Sequence, residues 1–204
     1  MPSKIVLMPA DLSLEKRALR AELRERRRNM TSTERASATE GLTARLISLT
    51  EATGASSVSC YLSTNDEPDT RPFLKWADQR DIRILLPIAR TDGLLDWATA
   101  TDEDDEEVGL FGMPEPAGEL LAPTAINDVD LILVPAACVD HHGVRLGWGR
   151  GYFDKTLGSM ENCPPVYAVV FDTEVLDEVP RERHDQPVDG AVTPTRTLDF
   201  RPAR

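Results

Sequence analysis

D-L-I-L-V-P-A-A-C-V-D-H-H-G-V-R-L-G-W-G-R-G-Y-F-D, residues Asp130 to Asp154, is the stretch on which the reading of this chain turns. Leu131 to Pro135 is a short unbroken apolar run, the pattern of a strand buried on both faces. Arg145 to Asp154 then interleaves Gly147, Gly149 and Gly151 with Arg145 and Arg150 and closes on an aromatic pair and a carboxylate. A strand that runs into a glycine-rich, cationic turn suits phosphate. Glycine lets backbone N–H groups approach an anion with no Cβ in the way, and arginine adds charge and a planar fork of donors. Asp154 could hold a cation that bridges the phosphates.

The segment fits neither common nucleotide motif. A Walker loop needs G-x-x-x-x-G-K-[ST], and the dinucleotide fingerprint needs G-x-G-x-x-G, whereas the spacing here is G-x-G-x-G. On composition alone a plain loop competes equally with an anion site.

Outward from this stretch the chain alternates. Leu14 to Asn29 is rich in Leu, Ala, Glu and Arg without Gly or Pro and predicts a helix. Thr31 opens a second helix, with Glu34 completing a capping box and Ala38, Leu42, Leu46 and Leu49 forming an apolar stripe. Val58 to Leu62 reads as a strand, Ser63 to Asp69 as a turn, and Thr70 as the cap of a short helix carrying Phe73, Leu74 and Ala77. Ile82 to Ile88 is a β-type run broken at Pro87, and Leu94 to Thr99 an edge strand. A helix from about Tyr152, a strand at Val166 to Phe171 and a last strand at Ala191 to Val192 follow. Strands alternating with helices predict an α/β fold, a single domain of three α/β/α layers over a mainly parallel sheet, with residues 1–12 as a flexible terminus. Ligands of such sheets sit beyond the carboxyl ends of the strands.

Composition narrows the partners. The chain has 204 residues, 41% of them apolar, enough for a sizeable core. Its net charge of −12 argues against nucleic acid, which demands broad phosphate neutralisation. No apolar run approaches the roughly 20 residues that span a bilayer, so no membrane partner is expected. Cys60, Cys138 and Cys163 lack disulfide or metal spacing and read as buried apolar residues of a cytoplasmic protein. Positive charge gathers between Lys16 and Arg28, while Asp102 to Glu107 forms an acidic run expected to be a solvated loop. The expected assembly is a monomer or weak homo-oligomer.

Taken singly, several residues have ordinary readings. Lys16 and Arg20 share a helix face and could be a solvated cationic stripe. Glu67 could be a turn residue or a carboxylate gripping a ligand. His141 and His142 are adjacent and point apart, which fits a loop. Asp189 could be structural or a metal carboxylate.

Together they carry a resemblance. K-R-A-L-R at Lys16 to Arg20, Y-L-S-T-N-D-E-P-D-T at Tyr61 to Thr70, F-G-M-P-E-P at Phe111 to Pro116, the long stretch above and H-D-Q-P-V-D at His184 to Asp189 occur in the order found in the 5-formyltetrahydrofolate cyclo-ligases. These enzymes are also called 5,10-methenyltetrahydrofolate synthetases. The similarity spans about Lys16 to Thr193, and the basic glycine loop is its most specific part.

The resemblance implies an enzyme that uses ATP and Mg2+ to convert 5-formyltetrahydrofolate, a reduced folate, to 5,10-methenyltetrahydrofolate, ADP and phosphate. It implies that Lys16, Arg17, Ala18, Leu19 and Arg20 hold ATP together with Arg145, Leu146, Gly147, Trp148, Gly149, Arg150, Gly151, Tyr152 and Phe153. Leu62 and Glu67 would contact the folate, joined by Arg20, Trp148, Gly149, Arg150, Gly151 and Tyr152. Asp154 and Asp189 would hold magnesium, and Arg150, Arg145 and Tyr152 would be the catalytic set. Two positions depart from the family pattern. Phe153 stands where many members carry tyrosine, and Arg150 where glycine or lysine is common. Two other readings stand beside this one: a binding protein that has lost turnover, and a small-molecule kinase.

Overall fold

The computed structural model describes residues 9–99 and 106–200. Its helices are α1 (Pro9–Arg28), α2 (Ser32–Thr53), α3 (Arg71–Asp78) and α4 (Tyr152–Ser159). The strands through the first half are β1 (Ser57–Ser59), β2 (Arg83–Ala89), β3 (Leu95–Thr99), β4 (Glu106–Val108), β5 (Pro114–Pro116) and β6 (Leu120–Leu121). The second half adds β7 (Leu131–Pro135), β8 (Cys138–Asp140), β9 (Arg145–Leu146), β10 (Val166–Val169), β11 (Val175–Leu176), β12 (Gly190–Val192) and β13 (Thr197–Asp199).

One eight-stranded sheet runs in the order β13-β12-β10-β7-β1-β2-β3-β6. The pairs from β12 to β2 are parallel, and antiparallel strands close both edges. The period of two along β7 builds three layers. Leu131 and Leu133 join Leu42, Leu46 and Leu49 of α2 and Phe73, Leu74 and Ala77 of α3 in one core. Ile132 and Val134 point the other way, into a core with Trp97 of β3 and Leu157 of α4. Each fully buried leucine here contributes on the order of 1.5–3 kcal/mol. A third cluster joins Leu19 and Leu23 of α1 to Cys138 and Leu146 of a small sheet ordered β11-β8-β9, and to Val144 in the turn before β9. That third core fixes α1 over the strand that leads into the glycine loop.

The capping box is present: the Glu34 amide donates to Thr31 Oγ1 at 3.2 Å, and Glu34 Oε2 accepts from the Thr31 amide at 2.8 Å. Other expectations need correction. Thr70 precedes α3 but makes no side-chain cap; its hydroxyl donates to the Tyr61 carbonyl at 2.6 Å and ties the helix to the end of β1. β2 continues through Pro87 to Ala89. The last β1 partner is Leu85, so one flank of Pro87 has no ladder for the missing N–H to break. Helix α1 already begins at Pro9, a favoured first-turn residue, within the stretch expected as a flexible terminus. Of the acidic run, 102–105 lie outside the described residues. Glu106 and Glu107 belong to β4, and Glu106 is paired with Arg71 rather than solvated in a loop. Cys60 and Cys138 are buried, which pushes both thiols up to about 12, whereas Cys163 is exposed.

Candidate active site

A cavity of about 760 Å³ opens beyond the carboxyl ends of β1, β2 and β7, where Tyr61, Ala89 and Pro135 line it. That is the position expected for a ligand of an open parallel sheet, and the volume suits a small molecule or nucleotide. One wall is the loop between β9 and α4. Gly149 (φ +97) and Gly151 (φ +70) adopt left-handed backbone that other residues rarely tolerate. A Cβ on Gly149 would also lie 3.4 Å from the Arg20 guanidinium.

Helix α1 packs against this loop and lines the cavity beside it. Arg20 Nε donates to the Gly147 carbonyl at 2.7 Å. The Arg24 and Arg27 guanidiniums lie 5.2 and 4.8 Å from the centroid of Trp148, each over its ring. Lys16, one turn before Arg20, is buried and donates to Glu182 Oε2 at 2.8 Å and Asp185 Oδ2 at 2.6 Å. From the strand side, Arg145 is 5% exposed and donates to Asp154 Oδ1 at 2.8 Å. Burial pulls the pKa of Arg20 and of Arg145 down, opposed by Asp185 at Arg20 and by Asp154 at Arg145. Poorly solvated cations of this kind favour an anionic ligand. Three buried polar atoms, Tyr61 Oη, Arg145 Nε and Trp148 Nε1, have no hydrogen-bond partner among the described residues, and all three residues line the cavity. Such groups are costly unless a ligand satisfies them.

The sequence profile of the 5-formyltetrahydrofolate cyclo-ligase family matches residues 13–194. The chain belongs to this family of enzymes. It is 34% identical over 188 residues to the 5-formyltetrahydrofolate cyclo-ligase of Mycolicibacterium smegmatis, covering 90% of this chain and 95% of that protein. The cyclo-ligase of Escherichia coli K12 is 24% identical, covering 87% and 100%. Among solved structures, Aquifex aeolicus 5,10-methenyltetrahydrofolate synthetase superposes with a TM-score of 0.77 at 29% identity, over 93% of this chain and 94% of that one.

Against this geometry the expected site residues divide. Lys16, Arg20, Leu62, Glu67 and every residue from Arg145 to Asp154 line the cavity. Arg17 and Ala18 do not, because the helix turns them to solvent, and Leu19 packs into the α1 core. Arg150 is exposed within the cavity lining. The Tyr152 hydroxyl donates to the Arg90 carbonyl at 2.9 Å, which fastens α4 to the turn after β2. Phe153 packs edge-on against Trp97, so the departure from tyrosine is accommodated as a core contact. Glu67 is a turn residue, its carboxylate accepting from the Thr64 amide and hydroxyl at 3.0 Å, and it also lines the cavity.

Asp189 is not brought to the cavity. Its Oδ2 accepts from the Val166 amide at 2.9 Å, at the amino end of β10, opposite to the end where the cavity opens. Glu182, His184 and Asp185 instead bring three ligand-type atoms within 4.8 Å of one another at the cavity edge, around the Lys16 ammonium. Asp185 stands in the quoted H-D-Q-P-V-D, but nothing in the sequence marks it as the partner of Lys16. His141 and His142 are exposed loop residues, His141 resting edge-on against Phe200. Among the described residues, no helix is long and apolar enough to cross a membrane.

Proposed function

We propose that this enzyme cyclises 5-formyltetrahydrofolate to 5,10-methenyltetrahydrofolate at the expense of ATP, with magnesium as cofactor. The observation that carries the reading is the cavity wall made by the glycine loop, with Arg20 half-buried and Arg145 buried against it and Arg150 open to the cavity.

A formamide is a poor electrophile because the nitrogen lone pair is delocalised into its carbonyl. The formyl oxygen takes the γ-phosphoryl group of ATP, the bond from γ-phosphorus to the bridging oxygen breaks, and ADP leaves. N10 of the folate then bonds to the activated carbon and releases its proton, and the carbon–oxygen bond breaks with loss of phosphate. Such a transfer depends on positioning and on neutralising charge. The backbone of Gly147 to Gly151 approaches the phosphates closely, Arg20 and the buried Arg145 set the local field, and Arg150 contacts the transferring group. One well-placed donor of this kind is worth roughly 3 kcal/mol in the transition state.

Asp154 would hold the magnesium, which neutralises phosphate charge when bound. Its Oδ1 accepts from Arg145 and from the Gln186 amide, while Oδ2 accepts nothing among the described residues. Leu62 and Glu67 form the folate side. We place the enzyme in the cytoplasm, where free Cys60, Cys138 and Cys163 persist.

The test combines purified protein, 5-formyltetrahydrofolate and Mg-ATP. The expected result is a rise in the near-ultraviolet absorbance of the methenyl product, matched by ADP. Binding of ATP without that rise would leave a binding protein, and a stable phosphorylated product without folate a kinase.

A further inference from the structure

Arg27 and Glu174 form an ion pair in the interior, 1% and 2% exposed, and neither lines the cavity. Arg27 Nε and Nη2 donate to Glu174 Oε1 and Oε2 at 2.7 and 2.8 Å. Nη2 also donates to the Ala136 carbonyl at 2.7 Å, and Nη1 to the Asp66 carbonyl at 3.4 Å. The guanidinium lies over the rings of Trp148 and Phe171, at 4.8 and 5.4 Å from their centroids. Burial opposes both charges. At Arg27 the bonds to Glu174 outweigh it and raise the guanidinium pKa, whereas at Glu174 burial wins and pushes the carboxyl up. The two-toothed contact, with a third bond to a carbonyl, fits the charged pair.

A buried ion pair is a poor device for stability alone, since apolar residues of similar volume serve as well or better. What sets this one apart is the segments it joins. Trp148 belongs to the glycine loop, Asp66 precedes Glu67 on the opposite wall, and Ala136 follows β7. Glu174 also leads directly into β11, whose sheet partner β8 pairs with β9 at the root of the glycine loop. A planar fork with two aromatic neighbours can meet all of these demands at once, and a lysine cannot.

We propose that Arg27 is a positioning residue that locks the nucleotide loop to the folate-side turn, so that the two binding walls order together. This rests on the reading that the loop holds ATP and the Glu67 wall holds the folate. Occupancy of one wall then prepares the other, and the two substrates bind with positive coupling.

The experiment is calorimetric titration of 5-formyltetrahydrofolate with and without a saturating non-hydrolysable ATP analogue and magnesium. In wild type the analogue tightens folate binding by a factor of roughly 5 to 150. In Arg27→Lys, which keeps the charge but loses the fork, the factor falls to near one while the melting transition stays cooperative. Glu174→Gln, at a residue outside the cavity lining, removes the counter-charge of the fork, shows the same loss and decides the matter if Arg27→Lys does not fold. Coupling that survives in a folded variant, or is absent from a wild type that binds both ligands, overturns the proposal alone. A wild type that binds no nucleotide overturns the ATP reading beneath it as well.

Discussion

Arg20 Nε donates to the Gly147 carbonyl at 2.7 Å, so a helix from the start of the chain and a loop 127 residues later form one wall. The bond holds that carbonyl oxygen against a cation, and Arg20 itself lines the cavity. The bond therefore shapes the loop as well as holding it. Arg20→Ala is expected to raise the KM for ATP about 10- to 100-fold, the range for loss of a charged hydrogen bond. Arg20→Lys should recover little, because a point charge does not reproduce the Nε contact. Steady-state kinetics at varied ATP, with thermal melts to confirm folding, check both.

Arg150 carries a different burden. It is exposed in the cavity, so its removal should leave stability nearly unchanged. Arg150→Ala is expected to lower kcat about 100-fold or more at saturating ATP, the cost of losing one transition-state donor. Turnover within a few-fold of wild type would remove Arg150 from the phosphoryl site.

Asp154 faces Arg145 at 2.8 Å, with the arginine side chain 3% exposed. Asp154→Asn leaves that buried guanidinium without its counter-charge, which costs about 3–5 kcal/mol. For a chain of this size the melting temperature should fall by roughly 6–20 °C. Because Asp154 is also the proposed magnesium residue, the same variant should need more magnesium for half-maximal turnover. A loss of stability with an unchanged magnesium requirement would confine Asp154 to the ion pair.

The mainly parallel sheet and the cationic loop were legible in the chain because they depend on local signals. An apolar run of period two, a capping box at Thr31 and Glu34, and glycines at alternate positions all act over a few residues. What escaped was decided by distant partners. Lys16 meets Asp185 across 169 residues and Arg27 meets Glu174 across 147, and no spacing rule links them. The small sheet of β8, β9 and β11 has strands of two or three residues, too short for a periodic signal. Asp189 is the opposite case: a motif position suggested a ligand, and one oxygen of its carboxylate accepts from the Val166 amide, away from the residues that line the cavity.

The Lys16–Asp185 contact gives a pH signature. Burial pushes the Asp185 carboxyl up, but the Glu182 amide and the Lys16 ammonium more than offset this and hold it below the ordinary carboxylate value of about 3.9. A carboxyl whose folded pKa is depressed stabilises the fold above its unfolded pKa and loses that contribution as pH falls through the folded value. Asp185→Asn should therefore melt below wild type at pH 7, and the gap should close below about pH 4. A gap independent of pH between 7 and 3 would show that the charge at Asp185 does not contribute.

Transfer of the phosphoryl group to the formyl oxygen is read directly by oxygen labelling. 5-Formyltetrahydrofolate carrying 18O in its formyl group is turned over with unlabelled Mg-ATP in ordinary water, and the inorganic phosphate is analysed by mass spectrometry. The expected result is one 18O atom in each phosphate released. Label appearing in water, with unlabelled phosphate, would contradict it.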